Sequence, residues 1–207
     1  MRIADYRFKT YHRCLVEKAL VKHQRLITGK ALDIGAMRPR YNHLFNASFT
    51  AVDLTPNEEL GVLYGDIQEG LPFEDNSFDS IICIEVFLYL DQYEKSIGEI
   101  YRLLKPGGTA IISTPFMYRD TGDTIRLTES FFLTHFKAFS LVQSLRLGNG
   151  FIVIWDILRR KIYSVKNKFV RYLLFSLILP YFAILKIFNL ERLKDDFYSG
   201  LFFILRK

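Results

Sequence analysis

Short, almost unbroken apolar runs separated by amphipathic stretches restrict this chain more than any other feature. Ala31–Ile34, Phe49–Asp53, Val62–Tyr64, Phe78–Ile84 and Thr109–Thr114 each read as a strand. Because their apolar residues are nearly continuous, both faces of the sheet need covering, which predicts parallel strands with helices on either side. The intervening stretches supply those helices. Residues 5–27 carry Phe8, Tyr11, Leu15, Ala19 and the Leu26-Ile27 pair at helical spacing, with Gly29 closing the helix. Tyr41–Phe45 reads as a short helix, and Gln92–Leu104 as a longer one stopped by Pro106-Gly107-Gly108. The expectation is a doubly wound α/β fold. With 207 residues, no internal repeat and no low-complexity linker, it forms one domain over 1–207.

Charge is divided unevenly along the chain. Residues 1–30 hold 8 Lys/Arg against 2 Asp/Glu, residues 31–150 hold 9 against 16, and residues 151–207 hold 11 against 4. A nucleic-acid enzyme concentrates positive charge around its core. Here the middle is acidic and both ends are basic, which argues against nucleic acid and for an anionic surface met by the ends. Cys14 and Cys83 lack CxxC spacing and neighbouring histidines, so they read as buried thiols in a reducing compartment, with no metal site. The basic opening MRIADYRFKTYHRC has no apolar core of a secretory signal, and the expected location is cytoplasmic.

The first two long strands end in acids twenty residues apart, at Asp33 and Asp53, a separation that suits an acid accepting hydrogen bonds from ribose hydroxyls. Gly35 permits a tight turn and close backbone approach to a cofactor. Downstream come "GDIQEGLPFEDNSFDSIICIEVFLYL" from 65 to 90 and "EIYRLLKPGGTAIISTPF" from 99 to 116. Together with "LDIG" and "AVDL", these ordered blocks resemble the class I S-adenosylmethionine-dependent methyltransferases, particularly the type 11 group, over residues 28–116. Within that group, "DIGAMRPRYNHLF" is similar to loops of members from bacterial surface-glycan loci.

The resemblance implies a mostly parallel, seven-stranded, Rossmann-like sheet and S-adenosylmethionine as cofactor. By position it places Asp33 and Gly35 at the methionine part, Asp53 and Leu54 at the ribose, and Asp66 and Ile67 near adenine, with Ile84 and Glu85 lining the cleft. The charge pattern agrees, because a cationic sulfonium suits an acidic centre better than a pyrophosphate would. Two positions depart from the family. Met37 stands where glycine is common, and Tyr89 where many members have histidine. Pro39 also removes a backbone donor. A scaffold that has lost catalysis is therefore the non-enzymatic alternative. Tyr101 and Lys105 have the spacing of a dehydrogenase pair, but on the last helical turn Lys105 is expected to complement the helix end while Tyr101 packs.

The resemblance places the acceptor beside "STPFMYRDTGDTIRLTESFFLTHF". Asp120, Asp123 and His135 are the candidates to take a proton from an alcohol or amine acceptor, alongside the bland reading of a solvated turn before a helix capped at Thr128. A saccharide or lipid-linked intermediate of surface-polysaccharide synthesis is the expected acceptor, with a small lipophilic molecule such as a quinone precursor as the alternative. Residues 159–171 carry six basic residues and no acid, and 172–185 carry no charge. That basic, hydrophobic insert, residues 148–197, is expected between the core (30–147) and a final strand (198–207). It either packs on the sheet or meets the inner face of the cytoplasmic membrane through residues 159–188.

Overall fold

In the computed structural model the described residues are 9–117, 122, 126–193 and 196–207. Seven strands form one sheet: β1 (Thr28–Ile34), β2 (Asn46–Asp53), β3 (Val62–Tyr64), β4 (Phe78–Ile84), β5 (Leu104–Pro115), β6 (Ser140–Leu147) and β7 (Gly200–Arg206). Their order is β3-β2-β1-β4-β5-β7-β6. The pairs from β3 to β5 are parallel, while β7 runs antiparallel to both β5 and β6. The final strand is thus interior, and β6, which has no strong apolar signature, takes the edge. The doubly wound fold is as expected.

Side-chain alternation explains why the strand interiors are apolar throughout. Ile81, Cys83, Ala110, Ile112 and Phe203 face one core, which α2 (Tyr93–Leu103) and α3 (Glu129–His135) cover with Ile97, Ile100 and Phe132. Their neighbours Ile82, Ile111, Phe202 and Ile204 face the other core, closed by Val16, Ala19 and Leu20 of α1 (Tyr11–Lys22). Adjacent residues of one strand point to opposite faces, so a strand buried on both sides cannot alternate in polarity. Both cysteines are buried and free, and burial pushes the Cys83 thiol far above its ordinary range.

Several boundaries differ from the sequence reading. α2 ends at Leu103, before the Pro106-Gly107-Gly108 stop, but β5 starts at Leu104 and runs through that segment, five residues earlier than the expected Thr109. Lys105 consequently does not complement the end of α2. It pairs with Asp79 at 2.7 Å, near the starts of β1, β4 and β5, the edge opposite to the ends of Asp33 and Asp53. That removes the dehydrogenase pair. Tyr41–Phe45 is a single 3-10 turn over Asn42–Leu44. Between β6 and β7 the insert forms two helices, α4 (Gly150–Tyr163) and α5 (Lys168–Ile187).

Candidate active site at the carboxyl edge of the sheet

The chain runs from β1 outward to β2 and β3, then returns to place β4 on the other side of β1. Ligands of open α/β sheets bind at such a reversal, beyond the strand carboxyl ends. The structure brings the predicted cofactor residues to that edge. Asp33 and Ile34 pair with Ala51 and Val52, Asp53 pairs with Tyr64, and Ile34 pairs with Cys83, one residue before Ile84 and Glu85.

Gly35 bridges the reversal. Its φ is +74°, and a Cβ there would fall 2.3 Å from Val86 Cγ2. Only glycine fits both the backbone angle and the gap. The amides of Gly35 and Ala36 donate to the Val52 carbonyl at 2.9 and 3.1 Å, folding the loop back over β2. Met37 is exposed, while Tyr41, on the far side of the loop, packs against the core cluster that α1 closes.

Asp33 is 5% exposed. Burial, opposed by a hydrogen bond from Asn42 and reinforced by the nearby Asp53 charge, pushes its carboxyl from 3.8 up to about 7. Asp53 Oδ1 accepts from the Thr55 amide at 2.8 Å, which orients the carboxylate at the strand end. Asp66 Oδ1 accepts from the Gln68 amide at 2.8 Å. Gln68 Oε1 in turn accepts from the amides of Asp91 and Gln92, tying the loop after β3 to the start of α2. Leu54 is exposed beside Asp53, whereas Ile67 is buried in the core with Leu71, leaving Asp66 as the outward member of that pair.

Glu85 is the most constrained of these acids. Its φ is +62°, a region costly for a side-chain-bearing residue. Oε1 accepts from Ser113 Oγ at 2.7 Å, and Oε2 lies 3.1 Å from His12 Nε2. His12 comes from α1 and is 4% exposed. Its Nδ1 lies 3.0 Å from Ser199 Oγ, which itself donates to the Leu147 carbonyl at 2.7 Å. Ser199 therefore accepts from His12, and a Glu85 carboxylate accepts from the other ring nitrogen. The network is satisfied with both ring nitrogens protonated. Burial alone would lower the His12 pKa, but the Glu85 charge and hydrogen bond outweigh it and raise the pKa. Gly200 makes room, since a Cβ there would sit 2.4 Å from His12 Cε1. Asp156 of α4 accepts from the amides of Tyr11 and His12 at 2.7 and 3.0 Å, capping α1 from outside.

Sequence reasoning missed His12 and Asp156. No local spacing announces them, because their partners lie 73 and 144 positions away.

A cavity of about 680 Å³ lies beyond the end of β5. Phe116, Met117 and Ile157 give it an apolar wall. Arg126, Arg160 and Lys161 add cations, and Thr10 and Asp156 connect it to the cap of α1. Of the proposed proton acceptors, Asp120 and Asp123 lie outside the described residues. His135 stacks on Phe131 at 4.2 Å and meets Tyr93 edge-on, with Nδ1 3.5 Å from Glu94, so its contacts fix α3 on α2. Among the described residues no group of three or more His, Cys, Asp or Glu is arranged to hold a metal.

Residues 32–112 match the family model for a methyltransferase domain, type 11. A sterol 24-C-methyltransferase of Neurospora crassa is 45% identical over 51 residues, covering 25% of this chain and 13% of that one. A demethylmenaquinone methyltransferase of Thermus thermophilus is 43% identical over 42 residues, covering 20% and 19%. The matches thus span under a fifth of those relatives' lengths. In three dimensions, the chain superposes on an S-adenosylmethionine-dependent methyltransferase from Archaeoglobus fulgidus with a TM-score of 0.61 and 16% identity, covering 94% of each chain. Residues 32–112 thus match a methyltransferase domain in sequence, and the chain as a whole has the fold of that solved S-adenosylmethionine-dependent methyltransferase.

Proposed function

We propose that this protein transfers the methyl group of S-adenosylmethionine to a lipophilic or lipid-linked acceptor bearing an anionic group. The cofactor edge fits that cofactor in its chemistry. Asp33, Asp53, Asp66 and Glu85 stand at or just beyond four neighbouring strand ends, so the edge offers carboxylates to an ammonium and to hydroxyls. A phosphate-bearing cofactor would meet repulsion there. Asp33 would hold the cationic methionine end, Asp53 the ribose hydroxyls, and Asp66 would lie towards adenine.

S-Adenosylmethionine supplies an electrophilic methyl: the acceptor's nucleophilic atom forms a bond to that carbon as the carbon–sulfur bond breaks, leaving a neutral thioether. What this chain contributes is position. The strained Glu85 backbone, clamped by His12 and Ser113, would fix one acid of the cofactor edge. Orientation of the two reactants can itself supply much of the rate.

The observation that carries the acceptor class is the cavity beyond β5, whose apolar wall of Phe116, Met117 and Ile157 is joined by Arg126, Arg160 and Lys161. A ligand with a hydrocarbon body and an anionic head matches both surfaces. Support also comes from the two named relatives, which by name methylate a sterol and a demethylmenaquinone. A saccharide acceptor draws no comparable support, except as the head of a lipid-linked molecule.

The test is transfer of a labelled methyl group from S-adenosylmethionine into a bacterial lipid extract, compared with transfer into water-soluble oligosaccharides. Label entering the organic phase, and lost on Ile157→Glu, is the expected result. Label confined to the water-soluble oligosaccharides would overturn the acceptor class. Failure of S-adenosylmethionine to bind in calorimetry would overturn the enzymatic reading in favour of a scaffold.

A further inference from the structure

Between β6 and β7 the chain departs from the sheet for two helices, and the second is poorly covered by protein. α5 is 20 residues long, about 30 Å at 1.5 Å per residue. By length and composition it could cross a membrane, yet only 11% of its most apolar stretch is buried. A helix this apolar normally finds its cover in a core. Here just Phe182 and Leu185, near its end, are buried, in a small cluster with Tyr11 and Trp155. Phe169 is 77% exposed, Tyr172 63% and Leu177 66%. Exposed apolar surface of this extent marks a binding surface for something apolar.

Charge narrows what that something is. The bend from α4 into α5 is the polybasic run, and it contains no acid. Arg159 is buried over the Tyr163 ring and leaves the set. Arg160, Lys161, Lys166 and Lys168 stay exposed, with Arg171 half-buried. A purely apolar partner such as a second copy of this face would gain nothing from those cations. A bilayer with anionic headgroups would meet both features at once.

We propose that the α4–α5 hairpin is a monotopic membrane anchor, with α5 lying in the headgroup region of an anionic bilayer. Lying flat, and not crossing, follows from how α5 ends. Lys186 donates to Tyr11 Oη and to Glu191, each at 2.7 Å. Together with Phe182 and Leu185, this fastens the carboxyl-terminal end of the helix to α1 and α4. A crossing helix would have to tear that end from the domain.

Docking has a consequence for the site, one that rests on the acceptor reading above. The last turn of α4 supplies Arg160 and Lys161, and its C-cap supplies Ser164, to the cavity wall immediately before the bend. The anchored protein would hold the cavity mouth at headgroup level, where a lipid-linked acceptor presents its head.

The docking itself is tested without any methyl transfer, by co-sedimentation of the intact protein with vesicles of phosphatidylcholine alone or mixed with phosphatidylglycerol. Preference for the anionic vesicles, weakened by high salt, is expected. Lys166→Gln/Lys168→Gln/Arg171→Gln should lower partitioning about 10- to 100-fold. Phe169→Ser/Leu173→Ser/Leu177→Ser should remove the part that survives high salt. Both variants should bind S-adenosylmethionine like the parent, which shows that they fold. Three results would overturn the anchor: no sedimentation with either vesicle; vesicle-independent dimers that the serine variant dissociates, which would make the face an interface between copies; or resistance to alkaline extraction from membranes, which would make α5 a crossing helix. A protein that docks as expected but methylates no lipid would overturn only the acceptor reading.

Discussion

Replacing Asp33 by Asn should stabilise the ligand-free protein while weakening its hold on the cofactor. The two shapes are nearly the same, so the change removes charge and little else. Asp33 is buried, and moving its carboxyl from 3.8 to about 7 corresponds to roughly 4 kcal/mol against the ionised form in the folded state. Its native pKa is raised, so between pH 3.8 and about 7 the folded protein holds a proton that the unfolded chain has released. Stability from this group therefore falls as pH rises through that window. The variant has no such slope. Its advantage over the parent should grow by about 2–3 kcal/mol between pH 5 and pH 8, and comparing the two proteins at each pH cancels the titration of His12 and other common groups. Urea unfolding without ligand reads this directly. Calorimetry at pH 8 reads the other side: losing a charge-assisted contact to the cationic end of S-adenosylmethionine should weaken binding about 10- to 100-fold. A pH-independent difference in stability would refute the burial argument. Unchanged affinity would remove Asp33 from the site.

Asp53→Ala should weaken S-adenosylmethionine about 10- to 100-fold by calorimetry, since a charge-assisted hydrogen-bond pair to the ribose is worth about 1.5–3 kcal/mol. Gly35→Val forces both a φ of +74° and a collision with Val86; a loss of more than about 2 kcal/mol in urea unfolding is expected, and a tolerated substitution would mean the loop moves freely. Met37→Gly should leave cofactor affinity unchanged or better, because Met37 is exposed, and a large loss would show that it makes a contact of its own. His12→Gln should lower stability most at pH below about 6.5, where the parent's histidine is charged in both states. The His12 contribution is present there because its native pKa is raised, and it is lost as pH rises through that native value, so parent and variant should converge at alkaline pH.

The legible part of the fold was the part written in contiguous residues. Unbroken apolar runs betrayed the strands buried on both faces, and the ordered blocks from Asp33 to Pro115 carried the candidate cofactor edge, because each candidate group sits at or just beyond the end of its own strand. β6 was not legible. It lies at the sheet edge with its first residues exposed, so nothing forces an apolar run. The Pro106-Gly107-Gly108 segment was read correctly as the stop of α2, because proline and two glycines oppose helix, but the strand that runs through it from Leu104 is invisible to that rule. The Lys105 role was misread for the same reason: expected to face a helix end, it belongs to that strand and faces Asp79.

His12 marks the limit more sharply than any boundary does. In sequence it is one histidine on a basic helix, and nothing local gives it a partner. Its role comes from three distant elements: Glu85 after β4, Ser199 before β7, and Gly200, whose missing side chain lets the ring approach. Glu85, meanwhile, was legible as a strand-end acid, yet nothing local indicates that its backbone would be left-handed. The two facts explain each other. A strained φ of +62° persists only where surrounding contacts over-determine it, and the His12 and Ser113 hydrogen bonds supply that determination. The same helix that delivers His12 is capped by Asp156 of α4, and α4 lines the cavity and leads into α5. The insert that meets solvent with its apolar face is thereby connected, through one carboxylate and one imidazole, to the acid at the cofactor edge. On the function proposed above, a cavity built on the insert keeps register with a cofactor edge on the sheet only if that link is stiff, and the structure places there a buried His12 ring bonded to part-buried Glu85, with part-buried Asp156 holding the amides of Tyr11 and His12.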